Sequence, residues 1–147
     1  MINSFEISKK DKRRFEIAKK AACESDFKTQ VGCAVYYKGK LIVTGFSTNK
    51  THPMQYRYNE ARGFIRDGKN CADKAHAEMM ALAKLQKMDV KMSEVTFYIV
   101  RMCKARPYGL ARPCEACMQA LKAAGVRDIR YTTDVGVARE WIEYKEA

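Results

Sequence analysis

Long hydrophobic runs, a secretory leader and internal repeats are all missing from this sequence of 147 residues. No segment approaches the run of about 18 apolar residues that a membrane-spanning helix needs. The N-terminal stretch MINSFEISKKDKRR has no apolar segment of the kind found in a signal peptide. Repeats, low-complexity tracts and linkers are also absent. We therefore expect a single cytoplasmic domain over residues 1–147, without membrane contact.

Histidine is scarce, with two residues, whereas six cysteines are scattered along the chain. Without an export signal, reduced thiols in a cytosol are expected rather than disulfides. Thiols in that setting more often bind metals or act in catalysis than form crosslinks. The hydrophobic fraction of 47% is sufficient for a packed interior without disulfides. The cysteines are therefore candidates for a chemical role.

Acidic residues are outnumbered, with 17 Asp and Glu against 28 Lys and Arg, which gives a formal net charge of +11. Basic residues concentrate in residues 1–22 and 101–112, and the second segment contains no acid. A basic helix face is most often simply solvated. The second cluster directly precedes a Pro-Cys pair, so its bases are candidates for gripping a substrate phosphate: Arg101, Lys104, Arg106 and Arg112. The charge also fits single-stranded nucleic acid as a partner.

Hydrophobic periodicity predicts helices alternating with strands. Pro113 is expected at the first position of the third helix, with Gly125 at its end. The tail 134–147 fits either a last strand or a short helix. The predicted segments are a helix over 8–25, a β-hairpin over 31–47, a buried helix over 73–88, a strand over 94–102, a helix over 113–125 and a strand over 126–133. This order predicts an α/β sandwich whose sheet of four or five strands is covered by helices.

The pair Cys114 and Cys117 stands at the start of the third predicted helix. Residues three apart share one face of a helix, and the first turn favours thiolates over thiols. Such a pair alone fits a disulfide, a redox switch, a structural zinc site or a catalytic metal site.

His76 and Glu78 open the second predicted helix. His76 and the two cysteines offer the nitrogen and sulfur ligands that zinc takes, and three protein ligands leave a fourth position open for water. A charged Glu78 among apolar neighbours is costly unless it is paired or bound. Beside the metal, its carboxylate would be placed to carry the water's proton.

Together, HAE at 76–78 and PCEAC at 113–117 resemble the signature of the zinc-dependent nucleobase deaminases of the cytidine deaminase-like superfamily. The chain looks most similar to small phage and bacterial nucleoside or deoxycytidylate deaminases. The resemblance implies a three-layer α/β/α fold, a mixed four- or five-stranded sheet and helices on both faces. It also implies Zn²⁺ bound by His76, Cys114 and Cys117, with Glu78 as the catalytic proton shuttle.

The same resemblance implies substrate contacts at Asn49 and Ala77, beside the basic candidates Arg112, Arg106 and Lys104. It further implies a homo-oligomer, a dimer or tetramer. Long segments between Asn49 and His76 and over 102–112 depart from compact members of the superfamily. Both would border the pocket mouth, so the resemblance leaves the substrate open. A hairpin in the tail would match the cytidine deaminase branch, whereas a helix between the last strands would match the deoxycytidylate branch.

We therefore expect hydrolytic deamination of cytosine to uracil on a nucleoside or nucleotide, with release of ammonia. One alternative is the same chemistry on cytosine or adenine within single-stranded DNA or RNA. A remote alternative is a non-enzymatic nucleic-acid-binding module, in which Cys71 and Cys103 complete a structural zinc site with Cys114 and Cys117.

Overall fold

The structure of the protein, a computed structural model, describes residues 2–4, 7–26, 29–48, 76–102 and 108–142. Over these residues, strands and helices alternate along most of the chain. They are β1 (Ile2–Ser4), α1 (Lys9–Ala22), β2 (Val31–Tyr37), β3 (Lys40–Phe46), α2 (Ala77–Leu85), β4 (Val95–Met102), β5 (Tyr108–Gly109), α3 (Glu115–Ala124), β6 (Asp128–Thr133) and β7 (Gly136–Trp141).

The strands form one mixed sheet in the order β1-β7-β6-β4-β2-β3, and β5 pairs with the end of β4. Strands β4 and β6 are parallel, while the other neighbours are antiparallel. The five longer strands correspond to the predicted sheet. The two short strands, of three and two residues, are additions to it.

The hairpin predicted over residues 31–47 is formed by β2 and β3 and turns at Lys38 and Gly39. Their φ angles are 51° and 80°, and two successive positive φ values are typical of a tight two-residue hairpin turn. The turn sets the register that pairs Tyr37 with Lys40. The start of β2 and the end of β3 therefore lie side by side at the open end of the hairpin.

Helices cover both faces of the sheet, which confirms the predicted three-layer architecture. Along β4, Phe97 and Ile99 join the core under α2 and α3, whereas Tyr98 and Val100 join a second core under α1. All four side chains are fully buried. Alternate residues of a strand point to opposite faces, so one apolar strand can fill two cores.

The ends of the helices differ in part from the prediction. Helix α3 begins at Glu115 with Cys114 as its N-cap, so Pro113 precedes the cap and does not occupy the first helical position. Gly125 ends α3 at a φ of 96°, as expected. The second helix was predicted to begin at residue 73, which lies outside the described residues, and the described helix α2 has His76 as its N-cap.

The tail forms a strand in its described part. Strand β7 pairs antiparallel with β6 through a turn that joins Thr133 to Gly136. The strand alternative for the tail is therefore the one observed over residues 136–141. No helix within the described ranges is long and apolar enough to cross a membrane.

Candidate active site

Three metal-ligating side chains converge where α2 and α3 begin. His76 is the N-cap of α2 and Cys114 is the N-cap of α3, while Cys117 lies in the first turn of α3. The Nδ1 atom of His76 is 3.5 Å from the Sγ of Cys114 and 3.3 Å from the Sγ of Cys117. Neither side chain forms a capping hydrogen bond, and both line the pocket described below.

These distances fit a zinc ion. With Zn–S bonds of about 2.3 Å, Zn–N bonds of about 2.0 Å and tetrahedral angles, the nitrogen and sulfur ligands stand about 3.5 Å apart. The three ligand atoms all lie within 4.8 Å of one another. Within the part of the chain that the structure describes, this is the group of histidine, cysteine and acidic residues that offers a metal site. The donor set and its spacing therefore fit a tetrahedral zinc with one open position.

Glu78 lies beside this cluster in the first turn of α2 and is 5% exposed. Burial raises the pKa of its carboxyl from 4.5 to about 7, and the neighbouring His76 partly opposes this rise. A carboxyl with a pKa near neutrality can both accept and donate a proton. The cluster thus contains a buried acid–base group next to the metal ligands.

The two thiols differ in acidity. A hydrogen bond with the Cys117 side chain lowers the pKa of Cys114 to about 4, with further help from His76 and against the effect of burial. The same hydrogen bond, together with burial, raises the pKa of Cys117 well above 9. One thiolate is therefore stabilised at the N-terminus of α3, where the helix dipole favours negative charge.

A cavity of ≈ 150 Å³ opens in front of the cluster. His76, Ala77 and Glu78 line it from α2, and residues 110–112 and Cys114 line it from the chain entering α3. Thr29, Val31 and Ser47 line it from the hairpin, and Arg101 from the end of β4. Pockets for drug-sized ligands measure about 300–1,000 Å³, so this one suits a single base better than several nucleotides.

Two residues with hydroxyl groups, Thr132 and Ser47, form hydrogen bonds that hold the segments lining the cavity against the ends of neighbouring strands. The buried Thr132 donates to the carbonyl of Gly109 at 2.9 Å, and its own carbonyl accepts from the Ala111 N–H at 2.9 Å. Ser47 donates to the carbonyl of Thr29 at 2.8 Å and accepts from the Val31 N–H at 3.1 Å. The segments on both sides of the cluster are thus held by the ends of neighbouring strands.

The profile of the family described as "Cytidine and deoxycytidylate deaminase zinc-binding region" matches residues 8–133. The chain belongs to this deaminase family. The matched range contains both helix starts that carry the candidate metal ligands, and strands β2, β3, β4, β5 and β6 of the sheet. Zinc is therefore the metal that the ligand cluster is built to hold.

Solved deaminases share the fold. A dCMP deaminase from the cyanophage S-TIM5 is 20% identical, with a TM-score of 0.60 over 87% of this chain and 86% of that one. A cytidine deaminase from Burkholderia pseudomallei is 17% identical, with a TM-score of 0.62 over 92% and 93%. A cytidine deaminase from Mycobacterium leprae is 19% identical, with a TM-score of 0.56 over 86% and 89%. No curated protein sequence matches the chain.

The sequence-predicted residues of the deaminase site have different outcomes. Ala77 is fully buried and lines the cavity beside His76 and Glu78. Arg112 also lines it, but its guanidinium is engaged by Glu140, and its contact with a substrate stays a prediction. Asn49, Lys104 and Arg106 lie outside the described residues, as do Cys71 and Cys103 of the structural-zinc alternative.

Sequence reasoning missed Thr29 and Ser47 as cavity residues. Thr29 lies two residues before β2, and Ser47 directly follows β3 as the last residue of the predicted hairpin. In an antiparallel hairpin the start of the first strand lies beside the end of the second strand. The predicted hairpin therefore already indicated that Thr29 and Ser47 lie close together. Arg101, the last base of β4 within the cavity wall, lay in the basic cluster recognised from the sequence.

Proposed function

We propose that the chain is a zinc-dependent hydrolase that converts cytosine to uracil in a nucleoside or nucleotide and releases ammonia. The observation that carries this proposal is the cluster of His76, Cys114 and Cys117 beside a cavity that His76, Cys114 and Glu78 line. Membership of the deaminase family supports hydrolytic deamination as the reaction. The volume of the cavity supports a small substrate.

In the proposed reaction, His76, Cys114 and Cys117 hold the metal and Glu78 moves the protons. Zinc, when bound, supplies a water molecule whose pKa is lowered to about 7, which makes it a nucleophile at neutral pH. The carboxylate of Glu78 would move the two protons of that water, one to the ring nitrogen N3 and one to the departing amine. The water's oxygen would become the carbonyl oxygen at C4 of uracil, and the amine would leave as ammonia.

Three observations support a small cytosine substrate. The phage dCMP deaminase of similar fold has been solved with dCMP and dUMP, at a TM-score of 0.59. The antiparallel pairing of β6 with β7 agrees with the hairpin ending that the resemblance assigns to the cytidine deaminase branch. The cavity of ≈ 150 Å³ suits one base. These features favour a mononucleoside or mononucleotide over a polymer.

The nucleic-acid alternative rests on the net charge of +11. Much of the positive charge on the described surface belongs to α1, which packs on the face of the sheet opposite to α2 and α3. Its exposed bases are Lys9, Lys10, Lys12, Arg13 and Lys20. A strand held by these bases would run on the far side of the sheet from the cavity, which argues for the small substrate.

The test offers the zinc-loaded protein a mixed pool. The pool contains cytidine, deoxycytidine, their monophosphates, the adenine counterparts, and single-stranded DNA and RNA oligonucleotides. Mass spectrometry identifies the species that gain about one dalton as an amine becomes a carbonyl. We expect product only among the small cytosine compounds. Product confined to oligonucleotides would replace this proposal with nucleic-acid editing.

Glu78→Gln is the matched control, because it keeps the shape of the side chain and removes its acid–base function. We expect turnover to fall by about 10²–10⁴-fold or more, with the zinc content of the purified protein unchanged. Turnover at the wild-type rate would remove Glu78 from the mechanism. Loss of zinc together with activity would mean that Glu78 supports the metal site instead.

A further inference from the structure

Two arginines line the cavity, and they differ in what they contact. Arg112 forms a two-pronged ion pair with Glu140, with N–O distances of 2.8 and 3.0 Å. Arg101 is exposed at the end of β4, and its guanidinium has no carboxylate or other hydrogen-bond partner among the described residues. Of these two cations, Arg101 is the one available to an anionic ligand.

The backbone and the base of the Arg101 side chain are held in place. In the sheet, Arg101 pairs with Val31 of β2 on one side and with Gly109 of β5 on the other. Its N–H donates to the hydroxyl of Thr132 at 3.3 Å. The aliphatic stem passes over Gly109, where an added Cβ would come within 3.1 Å of the Arg101 Cδ. The absence of a side chain at Gly109 therefore leaves the stem its path, and only the guanidinium end remains to be ordered by a ligand.

A guanidinium group with free donors suits a phosphate ester. Its planar fork of N–H groups binds two phosphate oxygens at once, and such charge-assisted bonds are stronger than neutral ones. Glu78, an acid that lines the same cavity, lies buried beside the candidate metal ligands. Arg101 thus stands at the exposed side of a cavity whose buried side carries the reacting groups.

We propose that Arg101 binds the phosphate of a cytosine nucleotide and makes the enzyme prefer nucleoside monophosphates to nucleosides. This inference rests on the proposed function and names its substrate class. Among the described residues of the cavity wall, Arg101 is the one guanidinium outside an ion pair, and the bases of α1 lie across the sheet. This arrangement fits the one phosphate of a mononucleotide better than the many of a polymer.

The experiment compares four substrates with the zinc-loaded wild type and with Arg101→Gln. The substrates are cytidine, deoxycytidine and their 5′-monophosphates, and the readout is kcat/KM for each. We expect Arg101→Gln to lower kcat/KM for the preferred monophosphate by about 10- to 100-fold, mainly through KM. For the matching nucleoside we expect the value to stay within about twofold, because no phosphate contact is lost.

Two further variants sharpen the result. Arg101→Lys keeps the charge without the fork, so it should recover part of the monophosphate preference. Arg13→Gln removes the same charge from the exposed surface of α1 and should leave all four kcat/KM values unchanged. Zinc content and circular dichroism check that each variant is folded.

An equal loss for monophosphate and nucleoside would overturn the inference, because it would give Arg101 a structural role. No loss for either would overturn it as well. In either of these outcomes, the proposed function would still stand if the wild-type protein converts the small substrates. Wild-type product in oligonucleotides alone would instead overturn both the proposed function and this inference.

Discussion

At the scale of single residues, we expect the two arginines of the cavity wall to have different roles: Arg101 binds the substrate phosphate and Arg112 stabilises the fold. Glu140, the partner of Arg112, is 8% exposed, so its carboxylate depends on Arg112 for a counter-charge. In Arg112→Gln we expect the free energy of unfolding to fall by about 2 kcal/mol, a value reduced for the partial exposure of Arg112. The monophosphate preference should stay as in wild type. Urea unfolding and the kcat/KM ratio measure the two effects.

The double variant Arg112→Gln with Glu140→Gln is the control for this prediction. Two amides can hydrogen-bond to each other without a buried charge, so part of the lost stability should return. If Arg112→Gln were as stable as wild type and lost the monophosphate preference, Arg112 would be the phosphate ligand. The roles of Arg101 and Arg112 would then be exchanged.

At the scale of elements, the approach of α2 to β3 sets where His76 and Glu78 stand. A Cβ on Gly45 would lie 2.5 Å from the carbonyl oxygen of Ala77, so Gly45→Ala must push the start of α2 away from the sheet. We expect a loss of about 1–3 kcal/mol in stability from overpacking. We also expect zinc affinity, measured by competition with a chelator, to fall about tenfold or more.

Gly32→Ala is a matched control on the opposite face of the sheet. Its Cβ would lie 2.0 Å from the carbonyl oxygen of Ala18 in α1, an even closer backbone contact. This variant should be destabilised at least as much, yet the folded protein should bind zinc as wild type does. Equal zinc affinity in Gly45→Ala and wild type would show that α2 can shift without disturbing the ligands.

The elements also show what a sequence can reveal and what it cannot. His76 and Cys114 are 38 residues apart, but their local motifs and the capping of two helices identify them as partners. The partner of Arg112 is 28 residues away in β7, and nothing local selects Glu140 among the acids. Strands β1 and β5, with three and two residues, are too short for a periodic pattern to predict. The metal-binding residues can therefore be predicted from local motifs. The ion pair between Arg112 and Glu140 cannot, because it depends on how β7 is placed in the sheet.

At the scale of the whole molecule, the two faces of the sheet are built differently. The face under α2 and α3 holds the larger apolar core and the metal ligands. The face under α1 holds a smaller core bordered by an ionic network, in which Arg130 donates to Asp11 at 2.8 Å and to Asp128 at 3.1 Å. Tyr98 donates to Asp11 from the same face of β4 at 2.5 Å. The attachment of α1 to the sheet is therefore partly electrostatic and should depend on pH.

Asp11 determines the direction of that dependence. Burial alone would raise the pKa of Asp11, but the hydrogen bond from Tyr98 and the charge of Arg130 outweigh it and hold the pKa below 3.8. A carboxyl with a lowered folded-state pKa stabilises the protein above its unfolded value of about 3.9, and this stabilisation is lost as the pH falls through the folded value. We therefore expect part of the acid-induced loss of stability to be absent in Asp11→Asn.

The measurement is urea unfolding of zinc-loaded wild type and Asp11→Asn between pH 3 and pH 7. At neutral pH the variant should be less stable by about 2 kcal/mol, since it loses a buried charge-assisted pair. The difference should shrink as the pH falls, and zinc release at low pH should affect both proteins alike because the network lies across the sheet from the ligands. Tyr98→Phe, which removes one of the contacts that lower the pKa, should show an intermediate dependence. A difference that stayed constant down to pH 3 would mean that Asp11 anchors α1 by packing, with no contribution from its charge.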